Sequence, residues 1–253
     1  MRSWARRSAV LTIAGIAVAA AGCGSSSAEP TVPHARPSPP YRYVAVGGTD
    51  AAGRATADPL LDAWPQLLFR SSMPLSAVLV NAAVPQETVA EATIDQVPTT
   101  LAQSPTVVTV WLVSGDLLAG TSPATYASGL NTLLTDLRNG GSTTVLVGNS
   151  PPSSLVPGVV ACEANAHPRG LTCPATTPNS ATLDAAVTAY NAAIAAAAAA
   201  TGAVVVDLHT ALSASAQSGS SVLNSSGSDL STAGSALVAQ TFGAALRGTS
   251  AAS

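Results

Sequence analysis

Five short runs of apolar, mostly β-branched residues punctuate the chain: Tyr43 to Val46, Ala77 to Val80, Val107 to Val113, Thr144 to Val147 and Ala203 to Leu208. They are apolar at nearly every position rather than at alternate ones, which predicts strands buried on both faces. A different period appears between them. Tyr126, Leu130, Leu134 and Leu137 recur at spacings of four, four and three behind Ser122 as N-cap and Pro123 at the first helical position, which predicts a helix. Leu183, Val187, Tyr190 and Ile194 form a second such stripe ahead of a polyalanine run, and Val238, Phe242 and Leu246 a shorter one near the C-terminus. Strands alternating with helices over short links predict a parallel sheet covered by helices on both faces. Ligands of such sheets bind beyond the strands' C-terminal ends. Candidate chemistry is therefore sought in residues 47–53, 81–86, 114–120 and 148–157, and from His209 onward. Residues 151–178 carry no period and are expected to form an ordered loop.

The first forty residues do not read as fold. Arg2, Arg6 and Arg7 precede an uncharged, mostly apolar run from Ala9 to Gly22, too short to span a bilayer, so residues 1–22 are expected to be a signal peptide. Ala20-Ala21-Gly22-Cys23 resembles a bacterial lipobox, which implies a lipidated Cys23 and a membrane anchor on the extracellular face. An ordinary signal peptide cut after a small residue is the other reading. Residues 24–40 are Ser-rich and then Pro-rich, and with Cys23 form an expected tether. The folded domain is expected over 41–248, with 249–253 a disordered tail.

Composition narrows the function classes. Hydrophobic residues make up 47% and charged residues 9%, with no Lys, too apolar for a disordered chain. Without residues 1–22 the chain has seven basic and thirteen acidic residues, formally −6, and no basic patch for nucleic acid. A monomer is expected. Cys162 and Cys173 remain once Cys23 is assigned to lipid, and in an exported protein they are expected to pair. With His167 they make only an incomplete metal-ligand set, so no metal is expected.

Four stretches at the strand ends fall in the order of four signature blocks. The first is Val44 to Gly53, with Gly47-Gly48-Thr49-Asp50 after the first strand; the second is Asn81 to Thr88. The third is Val113-Ser114-Gly115-Asp116-Leu117-Leu118, and the fourth is Ser226 to Gly234 with Asp229. This arrangement resembles the SGNH (GDSL-type) hydrolases over about residues 41–247. The resemblance implies a flavodoxin-like three-layer α/β/α sandwich with a five-stranded parallel sheet, no cofactor, and ester hydrolysis by a Ser-His-Asp triad with an oxyanion hole. Residue by residue it places Thr49 at the nucleophilic Ser, Gly48 at the adjoining Asp, and Gln86 at a Gly whose backbone N–H serves the oxyanion. Gly115 stands at the Asn that donates a side-chain amide, Asp229 at the His and Ser226 at the Asp. The expectation is a domain that keeps the cleft but is catalytically degenerate, binding an acyl, glycan or envelope ligand. The alternative is an active esterase, lipase or deacetylase using Thr49 with a substitute base.

Several roles stay open at this point. His209 is either an imidazole near the site or a helix-start residue. Asp50, Asp116 and Asp229 either converge as a carboxylate cluster, suited to a hard cation or acid–base work, or Asp116 serves as a helix cap and Asp229 as the N-cap of the last helix.

Overall fold

The computed structural model describes residues 41–54, 56–164 and 171–250. The expected signal peptide, Cys23, the tether, His167 and residues 251–253 lie outside the described residues.

In chain order the elements are β1 (Arg42–Gly47), α1 (Thr49–Ala52), α2 (Pro59–Asp62), α3 (Trp64–Ser72), β2 (Val78–Asn81) and α4 (Val89–Ala102). There follow β3 (Val107–Trp111), α5 (Ser114–Ala119), α6 (Pro123–Arg138), β4 (Thr144–Gly148) and α7 (Val159–Glu163). The chain closes with α8 (Ser180–Thr201), β5 (Val204–Val206), α9 (Leu208–Gln217) and α10 (Thr232–Ser250). All five strands are parallel, in the order β2-β1-β3-β4-β5. Helices α4, α6 and α8 pack together on one face, and α3, α10 and α9 on the other. The expected α/β/α sandwich is the observed fold.

The two central strands carry the core. Tyr43 to Val46 are fully buried, as is most of β3. Tyr43 and Thr109 bring hydroxyls into this apolar layer, where an unpaired one would be costly, and they satisfy each other at 2.9 Å. On one face Trp64 of α3 stacks on Phe242 of α10 at 4.7 Å between ring centroids. On the other, Tyr126 of α6 stacks on Tyr190 of α8 at 4.0 Å. Their hydroxyls donate to the carbonyls of Leu112 and Thr121. Helix α8 is long and apolar enough to cross a membrane, yet its stripe of Leu183, Val187, Tyr190 and Ile194 is buried within the fold.

Element boundaries follow local capping. Asp207 accepts from Thr210 N–H at 3.0 Å and starts α9, which ends the fifth strand at Val206 rather than at Leu208. Residues 151–178 are not wholly irregular, since they contain a 3₁₀ turn at Ser153–Leu155 and the short α7. Helix α10 runs to Ser250 and so takes in the first two residues of the expected tail.

Candidate active site

β1 delivers Thr49 to the C-terminal edge of the sheet as the first residue of α1. Its Oγ1 accepts a hydrogen bond from the backbone N–H of Gln86 at 3.1 Å. Gln86 lies in the turn Val84-Pro85-Gln86-Glu87, closed by a 3.4 Å bond from Glu87 N to Val84 O, and its φ is +65°. Proline followed by a positive φ is the pattern of a type II turn, whose third position favours glycine. A glutamine there costs about 1 kcal/mol or more. Its side chain does not crowd Thr49. Nε2 donates to Thr172 O and Oε1 accepts from Thr172 N, both at 2.9 Å. Two such bonds, each contributing about 0.5 to 1.5 kcal/mol, are enough to offset the turn's cost.

Gly115 presents a different picture from a merely missing amide. A Cβ added there would lie 2.2 Å from Glu87 O and 2.6 Å from Gln86 O, so backbone occupies the space a side chain would need. Gly48 is unlike it, the nearest atom to an added Cβ being Ser114 Oγ at 3.6 Å.

At the position expected of the base, Asp229 is buried, and Leu230 N–H donates to its Oδ1 at 2.8 Å. It does not cap the last helix. Ser231 does, accepting from Gly234 N–H at 3.0 Å. Ser226 commits its hydroxyl to Asn224 and Ser228, at 3.0 and 2.8 Å. Asp50 is 7% exposed and its Oδ1 has no hydrogen-bond partner. Burial first, and then the negative charge of Asp229, push its carboxyl well above the usual range. The structure therefore brings Asp50 and Asp229 together.

Asp116 serves another purpose. Its Oδ2 accepts from Val89 N–H, the first residue of α4, at 2.8 Å, so it ties α5 to the start of that helix. Burial raises its pKa to about 6. Among the described residues no group of three potential ligating side chains is arranged to hold a metal ion.

His209 lies in the first turn of α9, at the far side of the sheet. Three strand spacings, about 14 Å, separate β1 from β5. The His209 Nδ1 sits 2.8 Å from Ser150 O, and a carbonyl only accepts, so Nδ1 carries the proton and the ring is held at the β4–β5 end.

Sequence reasoning passed over Gln96, buried on α4. Its amide closes both backbone groups of Gly47, accepting from N–H and donating to the carbonyl at 3.0 Å each, and donates to Glu87 Oε2 at 2.6 Å. One side chain thus links the strand carrying Thr49 to the turn carrying Gln86. The available signal was a glutamine in register with Val89, Ala92 and Thr100, the buried positions of α4.

Cys162 and Cys173 form a disulfide, with Cα atoms 5.4 Å apart. The bridged segment borders a cleft of about 430 Å³ whose lining includes Gln86, Glu87, Thr88, Gly115, Leu118 and Cys173.

A 2-1-3-4-5 parallel sheet with a hydroxyl after its first strand and a backbone donor aimed at that hydroxyl is consistent with an α/β/α sandwich of the SGNH type. The chain belongs to the GDSL-like Lipase/Acylhydrolase family, whose profile matches residues 44–237. No curated protein sequence matches it significantly. Similar solved structures include a lipase/acylhydrolase from Enterococcus faecalis, at 16% identity and TM-score 0.62, covering 83% of this chain and 96% of that one. A catalytic mutant of an acetylxylan esterase from Geobacillus stearothermophilus matches at 15% identity and TM-score 0.59, over 80% and 92% of the two chains. A putative lipolytic protein of the G-D-S-L family from Desulfitobacterium hafniense matches at 12% identity and TM-score 0.55, over 81% and 98%.

Proposed function

We propose that this is a cell-envelope lipoprotein whose GDSL-type domain binds an acyl, glycan or envelope ligand in the inherited cleft without carrying out the family's hydrolysis. The observation that carries this reading is the packing at Gly115. A side chain at Gly115 able to supply the second oxyanion donor would have to enter space held by the carbonyl oxygens of Gln86 and Glu87. Loss of one such donor costs about a hundredfold to a thousandfold in rate. The base position supports the same reading. A threonine hydroxyl needs a partner to take its proton, and the family's imidazole is absent there: Asp229 stands at the His position, and Ser226, at the position of the orienting Asp, commits its hydroxyl to Asn224 and Ser228.

The second reading is an esterase that uses Thr49 with one of the two carboxylates as base. It is favoured by one observation, that the Gln86 N–H remains aimed at Thr49 Oγ1. A p-nitrophenyl acetate and butyrate assay separates the two. The purified protein and its Thr49→Ala variant are expected to hydrolyse both esters at the same background rate. A rate above background that Thr49→Ala abolishes would establish the esterase instead.

A further inference from the structure

The side chain of Gln86 joins the turn that carries it to the disulfide-bonded segment. Gln86 holds a backbone conformation that glycine adopts far more readily, and its amide pairs in both directions with the Thr172 peptide. Thr172 adjoins Cys173, which is bonded to Cys162 in α7. Helix α7 is itself fixed at its start, where Gly158 N–H donates to Gly227 O at 2.9 Å. A continuous chain of contacts thus runs from α7 through the disulfide and Thr172 to Gln86, and through the Gln86 N–H to Thr49 Oγ1.

We propose that Gln86 is a positioning residue: the disulfide-bonded strap Leu171–Pro174 grips its side chain and so holds its backbone N–H on Thr49 and the adjoining wall of the cleft in place. A glutamine side chain suits this task because it presents a donor and an acceptor side by side, matching the N–H and C=O of one extended residue. A glutamate retains only the acceptor, and an alanine neither. The competing account is that the turn holds itself, through Pro85 and through the packing of the Gln86 and Glu87 carbonyls on Gly115. The proposal does not rest on whether Thr49 reacts, so its readout is conformational.

The test is residue-resolved amide exchange by NMR, with the Thr49 γ-methyl resonance as reporter, on the full chain and three variants. In the Cys162→Ser/Cys173→Ser variant, the Thr172 and Gln86 amides are expected to exchange at least tenfold faster and the Thr49 methyl to shift. Val145 and Leu146 in β4 should remain as protected as before. Gln86→Gly, with the disulfide intact, should release the Thr172 amide while leaving the Thr49 methyl near its original position, because glycine takes the +65° conformation unaided. Gln86→Ala should release Thr172 and also move the Thr49 methyl. The proposal is overturned if the strap loosens in the double-serine variant while Gln86 and Thr49 do not change, since the turn would then hold itself. It is equally overturned if Thr172 stays protected in Gln86→Gly. Should the double-serine variant lose protection in β4 as well, the two Gln86 variants, which keep the disulfide, decide the matter.

Discussion

Two glycines at the same sheet edge show how little residue identity says about space. Gly48 and Gly115 both stand where the family resemblance calls for a side chain, yet one faces ordinary van der Waals distance and the other faces carbonyl oxygens at 2.2 and 2.6 Å. Backbone cannot rotate away as a side-chain tip can. Gly115→Ala is therefore expected to destabilise the fold by about 1 to 3 kcal/mol, the usual cost of overpacking, whereas Gly48→Ala should stay within about 1 kcal/mol of wild type. Urea unfolding of the two variants side by side checks this. Equal midpoints would mean that the Gln86–Glu87 peptide yields easily, and would weaken the case against an oxyanion site. The same geometry bears on any attempt to restore the family's residues, because Gly115→Asn needs the turn to move before an amide can enter. That obstacle was not legible in the sequence. Alignment reports which residue is absent, and only the approach of two distant segments reports what has filled its place.

At the scale of elements, legibility followed the strength of the local signal. Helices α6, α8 and α10 each carry a stripe of large apolar residues at helical spacing, and α6 adds a Ser-Pro start, so all three were read where they occur. Helix α4 was not read. Its buried face uses Ala92, Gln96 and Thr100 among its valines, and Pro98 lies within it, so no apolar stripe stands out. The signal it did carry was Thr88-x-x-Glu91, a capping box in which Thr88 Oγ1 accepts from Glu91 N–H and Glu91 Oε2 from Thr88 N–H. The strands were placed to within two residues, and the two-residue errors, at the ends of β3 and β5, arose where a following helix cuts the run short, as the cap Asp207 does for β5.

Asp116 belongs to this scale as well, since it joins α5 to the start of α4. Its folded pKa of about 6 exceeds the value near 3.9 expected of an unfolded aspartate. The folded protein then retains a proton that the unfolded chain gives up. Stability from this group is full below about pH 4 and is lost as pH rises through about 6. Asp116→Asn keeps an oxygen for Val89 N–H but removes the titration. Relative to wild type, the variant should gain stability between about pH 4 and 7, by about 3 kcal/mol at most, and then level off. Thermal melts of both proteins across that range measure the difference. A difference that does not change with pH would mean that Asp116 is not the titrating group.

For the whole molecule, the proposed anchor must hold a chain whose charge works against it. With residues 1–22 removed, the net charge is formally −6, so an anionic membrane surface repels the protein rather than attracting it. No basic patch is available to assist a single acyl chain, whose hold alone is marginal and reversible. Stable attachment at Cys23 therefore requires more than one chain, which a diacylated cysteine supplies. Attachment of this kind is hydrophobic, and salt should not weaken it. Wild-type protein is expected to incorporate a fatty-acid analogue and to stay with the membrane fraction through a high-salt wash. Cys23→Ser should be unlabelled and should leave that fraction. Equal labelling of the two would rule out Cys23 as the acylated residue, and release of wild type by salt alone would show that its attachment is electrostatic.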